Sequence, residues 1–227
     1  MKILLTIPFL FFSYCIYSQI IINEYQCSNI NTINDSYGEF SDWIELYNTS
    51  GSAVDLTGYF LSDKAGNPQK WQFPSGTIPA GGYFLVYASG RDGINAGEYH
   101  TNFKLTQTKQ EYIILAYPTG TIMDSLQIMP NQTDHSYGRN TDGGSDWAVY
   151  TTPTPLSSNG VGTMSYASRP IFDLPSGNYA GAVSVNLASP DVGVEIRYTT
   201  DGTEPTAAST LFTAAINISN TTVVRAM

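Results

Sequence analysis

The chain has 227 residues, a formal net charge of −9, and equal fractions, 13% each, of charged and aromatic residues. Because an acidic protein repels the phosphate backbone, this balance argues against a nucleic-acid partner. The low content of charge and the 16 tyrosines are typical of an extracellular β-protein rather than of a disordered acidic chain.

The first eighteen residues are typical of a signal peptide. Lys2 provides the positive start, residues 3–12 form an apolar run, and Ser18 is a small residue at the cleavage point. A membrane span needs about 20 apolar residues, so this run is too short for one. We therefore predict cleavage after Ser18, secretion or display at the cell surface, and a mature chain without a membrane span.

The predicted mature chain contains a single cysteine, Cys27. No disulfide can form within it, and a lone cysteine in a β-rich pattern is usually a small buried hydrophobic side chain. Loss of Lys2 leaves 9 basic and 19 acidic residues, a net charge of −10. The exclusion of nucleic acid therefore holds for the mature chain as well.

Short β-branched and aromatic runs recur between turn signals, and almost no segment shows a helical period. In chain order, strands are predicted at residues 20–28, 42–48, 59–62, 70–73, 83–88, 111–117, 121–128 and 147–151. Residues 118–120, Pro-Thr-Gly, are expected to join the sixth and seventh strands as a hairpin turn. The pattern predicts an all-β sandwich.

The strand pattern stops at residue 152, and a second set of strands follows a Pro/Gly/Ser-rich stretch. We predict a linker at 154–168, where alternating proline extends the chain and Gly and Ser loosen it. Further strands are predicted at 169–174, 183–188, 195–200, 214–219 and 222–226. An Ig-like sandwich usually needs about 100 residues. We therefore expect this second domain, 169–227, to be truncated and the native gene product to continue.

Eight sequence blocks, in order, resemble those of a bacterial, secreted lamin tail domain. They are INEY at 22–25, DWIELYN at 42–48, VDLTGY at 54–59, LSD at 61–63, WQFP at 71–74, IPAGGY at 78–83, HTNFKL at 100–105 and SYGR at 136–139, ahead of Trp147. The resemblance implies an Ig-like β-sandwich, which we place at residues 20–153.

The second set of strands resembles the Ig-like C-terminal module of chitobiase and β-hexosaminidase. The main signal is the run YTTDGTEPT at 198–206, with PIF at 170–172 and TVVRA at 222–226. That module is not the catalytic domain of those enzymes, so the resemblance implies an accessory role. The pairing of the two domains resembles the front of larger secreted bacterial proteins, some of which carry a spore-coat-kinase-like domain further on.

The chain shows no catalytic constellation, and we expect neither catalytic residues nor a cofactor. His100 and His135 lack a recognisable nucleophile or metal partner. His100 lies in the HTNFKL block, which the resemblance implies is structural, and we interpret His135 as a surface or turn residue. Glu24 and Glu45 lie inside these predicted strands, and Asp55 is taken to lie in a short strand of the block at 54–59. We interpret all three as hydrogen-bond acceptors rather than as a hydrolytic pair.

An oxygen-rich loop surrounds two glycines at residues 143–144. Asn140, Asp142, Ser145 and Asp146 are residue types that calcium prefers, but their spacing does not fit an EF-hand. We interpret the loop as a turn capped by side-chain hydrogen bonds and expect no metal site, while calcium binding near Asp142 and Asp146 stays an open alternative.

The aromatic residues raise a question of ligand binding. Trp43, Trp71 and Trp147 could stack on sugar rings, but large aromatic side chains also fill sandwich cores. Strand alternation predicts Ile44 and Leu46 in the core, with Trp43 and Tyr47 on the opposite face. If the chain binds a ligand through this strand, we expect a face formed by Trp43 and Tyr47.

One principal function and two alternatives, given together as the second, fit these observations. The first is a non-catalytic interaction or adhesion module, secreted or at the cell surface, whose partner is a protein or a glycan. The second is the N-terminal accessory or targeting region of a larger secreted enzyme, or a weak carbohydrate-binding module.

Overall fold

A computed structural model describes residues 19–227 of the chain. The predicted signal peptide, 1–18, lies outside the described residues. The chain divides into two compact units, the first ending at Met164 and the second running from Ser165 to Met227. Every regular element within 19–227 is a β-strand, and this range contains no helix with the length and hydrophobicity that a membrane crossing requires.

Within residues 19–164, the first unit contains thirteen strands. They are β1 (Ile20–Gln26), β2 (Trp43–Asn48), β3 (Val54–Asp55), β4 (Phe60–Ser62), β5 (Trp71–Gln72), β6 (Thr77–Ile78), β7 (Tyr83–Tyr87), β8 (Gly93–Asn95), β9 (Glu98–His100), β10 (Tyr112–Ala116), β11 (Ile122–Gln127), β12 (Ser136–Arg139) and β13 (Trp147–Tyr150).

These strands form two main sheets that enclose one core. A seven-stranded sheet has the order β13-β12-β1-β2-β7-β9-β8, and a four-stranded sheet has the order β11-β10-β4-β5. All pairings are antiparallel except β7 with β9. Core residues come from both sheets, such as Ile44 on β2 and Leu115 on β10. The first unit is an Ig-like β-sandwich, as the sequence predicted.

The strand β2 lies at the centre of the larger sheet, between β1 and β7. Ile44 and Leu46 are completely buried in the core, which confirms their predicted role. The pairing of β1 with β2 shifts register between Ile22 and Glu24, so Asn23 is an extra residue at a bulge. The bulge places Glu24 opposite Glu45 on the side of the sheet away from the core.

The predicted hairpin between the sixth and seventh strands is confirmed. β10 and β11 pair from Tyr112 with Gln127 to Ala116 with Ile122, and the N–H of Gly120 donates to the carbonyl of Tyr117 at 2.8 Å. Gly120 has a φ of 85°, a conformation that glycine adopts without strain.

Residues 152–163, which we call the strap, belong to the first unit and pack against its larger sheet. Most of the strap belongs to the stretch predicted as linker. Its last residue, Thr163, forms an antiparallel bridge with Val149 on the edge strand β13, with N–H···O distances of 2.7 and 2.9 Å. Backbone groups at a sheet edge need partners, and the strap supplies them here.

The second unit is a smaller all-β structure. Its strands are β14 (Ile171–Phe172), β15 (Val183–Val185), β16 (Leu187–Ala188), β17 (Arg197–Thr199), β18 (Thr210–Leu211), β19 (Ile216–Ile218) and β20 (Arg225–Ala226). They pair as β14-β16, β15-β19 and β18-β17-β20. The core is small and centres on Val185, Leu187 and Ile216.

Candidate functional site

A cluster of carboxylates lies on the outer side of the larger sheet, beneath the strap. Glu24 on β1 and Glu45 on β2 are cross-strand neighbours, and both are completely buried. Asp142, from the loop between β12 and β13, joins them through Asn23, whose amide donates to Glu45 Oε1 at 3.1 Å and to Asp142 Oδ1 at 3.0 Å.

Glu24 is surrounded by hydrogen-bond donors. Ser136 donates its hydroxyl to Oε1, and Thr154 of the strap donates both its backbone N–H and its hydroxyl, the latter at 2.8 Å from Oε2. Burial nevertheless raises the pKa of Glu24, because desolvation outweighs these bonds.

Glu45 holds the strap at a second point. Its Oε2 accepts the backbone N–H of Leu156 at 2.5 Å, across 111 residues of chain. Burial, together with the charges of Glu24 and Asp142, raises the pKa of Glu45 to about 8, although hydrogen bonds from Asn23 and Leu156 act in the opposite direction.

Asp142 is the third carboxylate and stays ionised. Partial burial acts to raise its pKa, but hydrogen bonds from Ser158, Tyr83, Asn23 and the backbone of Asn159 outweigh burial and hold the pKa below its usual value. The bonds from Tyr83 and Ser158 measure 2.6 and 2.5 Å. The strap is therefore tied to the sheet by all three acids.

This arrangement acts as a clamp rather than as a reaction centre. A general acid or base must come within hydrogen-bonding distance of a substrate. Glu24 and Glu45 have no exposed surface, and their oxygens accept protein N–H and O–H groups. The interpretation of these strand carboxylates as hydrogen-bond acceptors is thus confirmed, although their partners are distant in sequence. Among residues 19–227, no group of three or more His, Cys, Asp or Glu residues is arranged to hold a metal ion.

The loop at 140–146 forms a tight turn. The N–H of Asn140 donates to Asp146 and that of Gly144 to Thr141, both at 2.7 Å. Asp142 is directed to the strap contacts, while the side chain of Asp146 accepts a bond from Ser145. That this loop binds no metal stays a prediction, and calcium binding near Asp142 and Asp146 is the alternative that experiment can test.

The structure corrects the expectation of an exposed face at Trp43. Trp43 is 0% exposed, and its indole N–H donates to Gln26 at 2.6 Å. The loop between β1 and β2 covers this region, because Thr32 bonds to Gln26 and the carbonyl of Asn34 accepts from Tyr87. The alternation of side chains along β2 correctly placed Trp43 on the face away from the core. It gave no sign that the loop between β1 and β2 covers that face.

Tyr47, the other residue of the predicted ligand face, is half-buried. Its ring lies 5.1 Å from that of Tyr83, which in turn bonds to Asp142. Glu45, between Trp43 and Tyr47 on the strand, is covered by the strap. The two aromatic residues therefore do not form one open surface.

His100 is buried, which fits the interpretation of its block as structural. It is 1% exposed, stacks on Tyr87, and has its Nδ1 atom 3.0 Å from Ser89 Oγ. Burial lowers its pKa, although the charges of Asp35 and Glu98 act to raise it. A nucleophile must reach its substrate, and Ser89 is buried as well, so this Ser-His contact is structural.

The other residues that the sequence pointed to, His135, Asp55 and Cys27, lie in surroundings typical of structural residues. His135 is half-buried ahead of β12. Asp55 is exposed, and its carboxylate caps a turn by accepting the hydroxyl and N–H of Thr57, which lower its pKa. Cys27 is 2% exposed, as predicted, and burial raises its thiol pKa.

A groove in the second unit was missed by sequence reasoning. It has a volume of about 720 Å³ and runs between residues 172–185 and 218–224. Phe172 and Tyr179 line it and are 38% and 42% exposed, while the core residue Val185 also contributes to its wall. The sequence signal was weak, because Phe172 and Tyr179 lie in separate short blocks that the pattern assigned to the fold.

Comparisons with known proteins identify both units. Residues 17–129 match the Lamin Tail Domain family, and residues 174–227 match the Chitobiase/beta-hexosaminidase C-terminal domain family. An endoglucanase from Clostridium saccharobutylicum is 49% identical over 53 residues, which cover 23% of this chain and 12% of that enzyme. The chain thus matches only a small part of that relative's length. Along this chain, a segment that matches the lamin tail domain therefore precedes a segment that matches the chitobiase/beta-hexosaminidase C-terminal domain.

Proposed function

We propose that the chain is a non-catalytic interaction module that works outside the cell or at its surface. The observation that supports this proposal is that the carboxylates of Glu24, Glu45 and Asp142 all accept hydrogen bonds from the strap. The residue types best suited to acid–base chemistry therefore hold the fold together. Rigid sandwiches of this kind present loops and grooves to partners.

The extracellular setting rests on composition and on the predicted signal peptide. A low content of charge, many tyrosines and a single cysteine after residue 18 suit a secreted β-protein without disulfides. The similarity to a domain named for chitobiase and β-hexosaminidase and to an endoglucanase supports the same setting.

A surface-retention assay tests this function. The full chain, fluorescently labelled, is incubated with intact bacterial cells and with their isolated walls, and a β-sandwich protein of similar size and charge serves as the control. We expect saturable retention that excess unlabelled chain displaces, with no release of reducing sugar or peptide. Hydrolysis that disappears in Glu45→Gln would contradict the proposal.

A second candidate is the accessory region of a carbohydrate-active enzyme. The observation that favours it is the 49% identity to the endoglucanase over 53 residues. In this function the chain would hold a partner domain near a glucan. Retention on insoluble glucan, measured beside retention on cells, separates this candidate from general adhesion.

A further inference from the structure

We propose that the groove of the second unit binds a neutral glycan. This inference rests on the proposed function of the chain as an interaction module and names the ligand class and the site. Three features of the groove favour such a ligand: its lack of charge, its two aromatic rings and its unused polar groups.

The groove carries no charge on a strongly acidic chain. Among the residues that the structure describes, the 17 that line the groove include no Asp, Glu, Lys, Arg or His, whereas the chain as a whole has 29 acidic and basic residues. A phosphate or carboxylate ligand would find no counter-ion here, and a cationic ligand would find no carboxylate. Charge complementarity therefore favours a neutral ligand.

Two aromatic rings give the groove flat apolar surface. Phe172 and Tyr179 are both partly exposed on its lining. The hydroxyl of Tyr179 donates to the carbonyl of Pro175 at 2.5 Å, and its ring lies beside Gly177. The tyrosine is thus held in one orientation, which lowers the entropic cost of stacking a ligand on it.

Polar side chains with free hydrogen-bonding capacity lie in the same groove. Within residues 19–227, the side chains of Ser176, Asn178 and Thr221 make no hydrogen bond to the protein. A purely apolar ligand, such as an acyl chain, would leave these groups unpaired. A ligand with both an apolar face and many hydroxyls satisfies the rings and the polar groups together, and this combination describes a neutral sugar chain.

Calorimetric titration of the full chain with a β-linked glucose hexasaccharide tests the site. We expect saturable binding, and we expect no binding of a galacturonic acid hexasaccharide, which has charged carboxylates on a similar ring. Tyr179→Ala and Phe172→Ala should each weaken binding about tenfold or more. Tyr179→Phe keeps the ring but loses the bond to Pro175, so its affinity should lie between those of wild type and Tyr179→Ala.

The matched control is Tyr112→Ala, which removes a similarly exposed aromatic ring from the first unit. It should leave binding unchanged. Circular dichroism shows whether each variant is folded. If folded wild type fails to bind the neutral hexasaccharide, or if binding survives both groove substitutions, the groove proposal is wrong.

The glycan titration and the surface-retention assay can give different answers, so failure of the groove proposal is distinguishable from failure of the proposed function. Retention on cells that persists in Tyr179→Ala supports the interaction module while overturning the groove as its site. Sedimentation is measured in parallel, because a dimer that dissociates in Phe172→Ala would assign the groove to a second copy of the chain and overturn the glycan proposal.

Discussion

Glu24 and Glu45 lie opposite each other on neighbouring antiparallel strands, and neither side chain has exposed surface. Two carboxyl groups so placed are costly to ionise together, because burial removes their hydration and their charges repel. The strap is attached to both of them, through Thr154 and Leu156. The stability of the first unit should therefore depend on the protonation of this pair.

The first prediction concerns pH. The pKa of Glu45 is raised from 4.5 to about 8, so the folded state keeps a proton that the unfolded chain releases. The stabilisation is fully present below pH 4.5 and is lost as the pH rises through 8. The expected slope is about −1.4 kcal/mol per pH unit for one proton. Urea unfolding followed by tryptophan fluorescence measures it, since all three tryptophans lie in the first unit.

Glu45→Gln isolates this effect from other titrating groups. Asn23 and Leu156 both donate to Glu45, and an amide offers only one acceptor oxygen, so the substitution should cost about 1–3 kcal/mol near pH 5. The difference should shrink by about 1.4 kcal/mol per pH unit and change sign before pH 8, because wild type loses stability over this range and the neutral amide does not titrate. Glu39→Gln, at a side chain that is 60% exposed, should shift stability little at any pH. A difference that stays constant from pH 5 to 8 would contradict the raised pKa.

The sequence predicted much of the first unit and little of this cluster. Alternation along β2 placed Ile44 and Leu46 in the core, because side chains on successive strand residues point to opposite faces. The same alternation left the outer face of the strand open. Its cover comes from the strap, whose Leu156 is 111 residues from Glu45. Contacts at such separations depend on the whole chain path and leave no local pattern.

The second prediction concerns Asp142. Asp142→Asn should lower the unfolding free energy by about 2 kcal/mol, because one amide oxygen replaces two carboxylate oxygens that accept from Asn23, Tyr83, Ser158 and Asn159. Its lowered pKa means that this stabilisation is present above pH 3.8 and is lost as the pH falls below that value. Asp146→Asn, in the same loop, is the matched control and should change stability by less than about 0.5 kcal/mol.

The third prediction concerns calcium. Both oxygens of Asp142 already accept bonds from the protein, so an ion would have to displace them. Thermal melting with calcium and with a chelator should therefore give the same midpoint for the first unit. A saturable rise with calcium that disappears in Asp142→Asn would show that the loop binds the metal after all.

The fourth prediction concerns the strap itself. A Cβ atom added at Gly162 would lie 2.6 Å from the Cβ of Ala148 and 2.9 Å from the ring of Tyr150, closer than packed atoms tolerate. Gly162→Ala should cost about 1–3 kcal/mol. It should also speed hydrogen exchange at Val149, whose N–H bonds to Thr163. Gly160→Ala meets no atom within 4 Å and should behave like wild type. Equal effects of the two substitutions would argue against close packing of the strap.

The fifth prediction separates the tryptophans by accessibility. Trp43 and Trp71 are 0% and 3% exposed, whereas Trp147 is half-buried, so iodide should quench mainly Trp147 in the folded protein. Trp147→Phe should remove most of the quenchable emission, and Trp43→Phe should leave it in place. Trp43→Phe should also destabilise the first unit by about 1–3 kcal/mol, because the buried oxygen of Gln26 loses its donor. Loss of quenching in Trp43→Phe with stability unchanged would instead place that indole at the surface, and the loop between β1 and β2 would then not cover it.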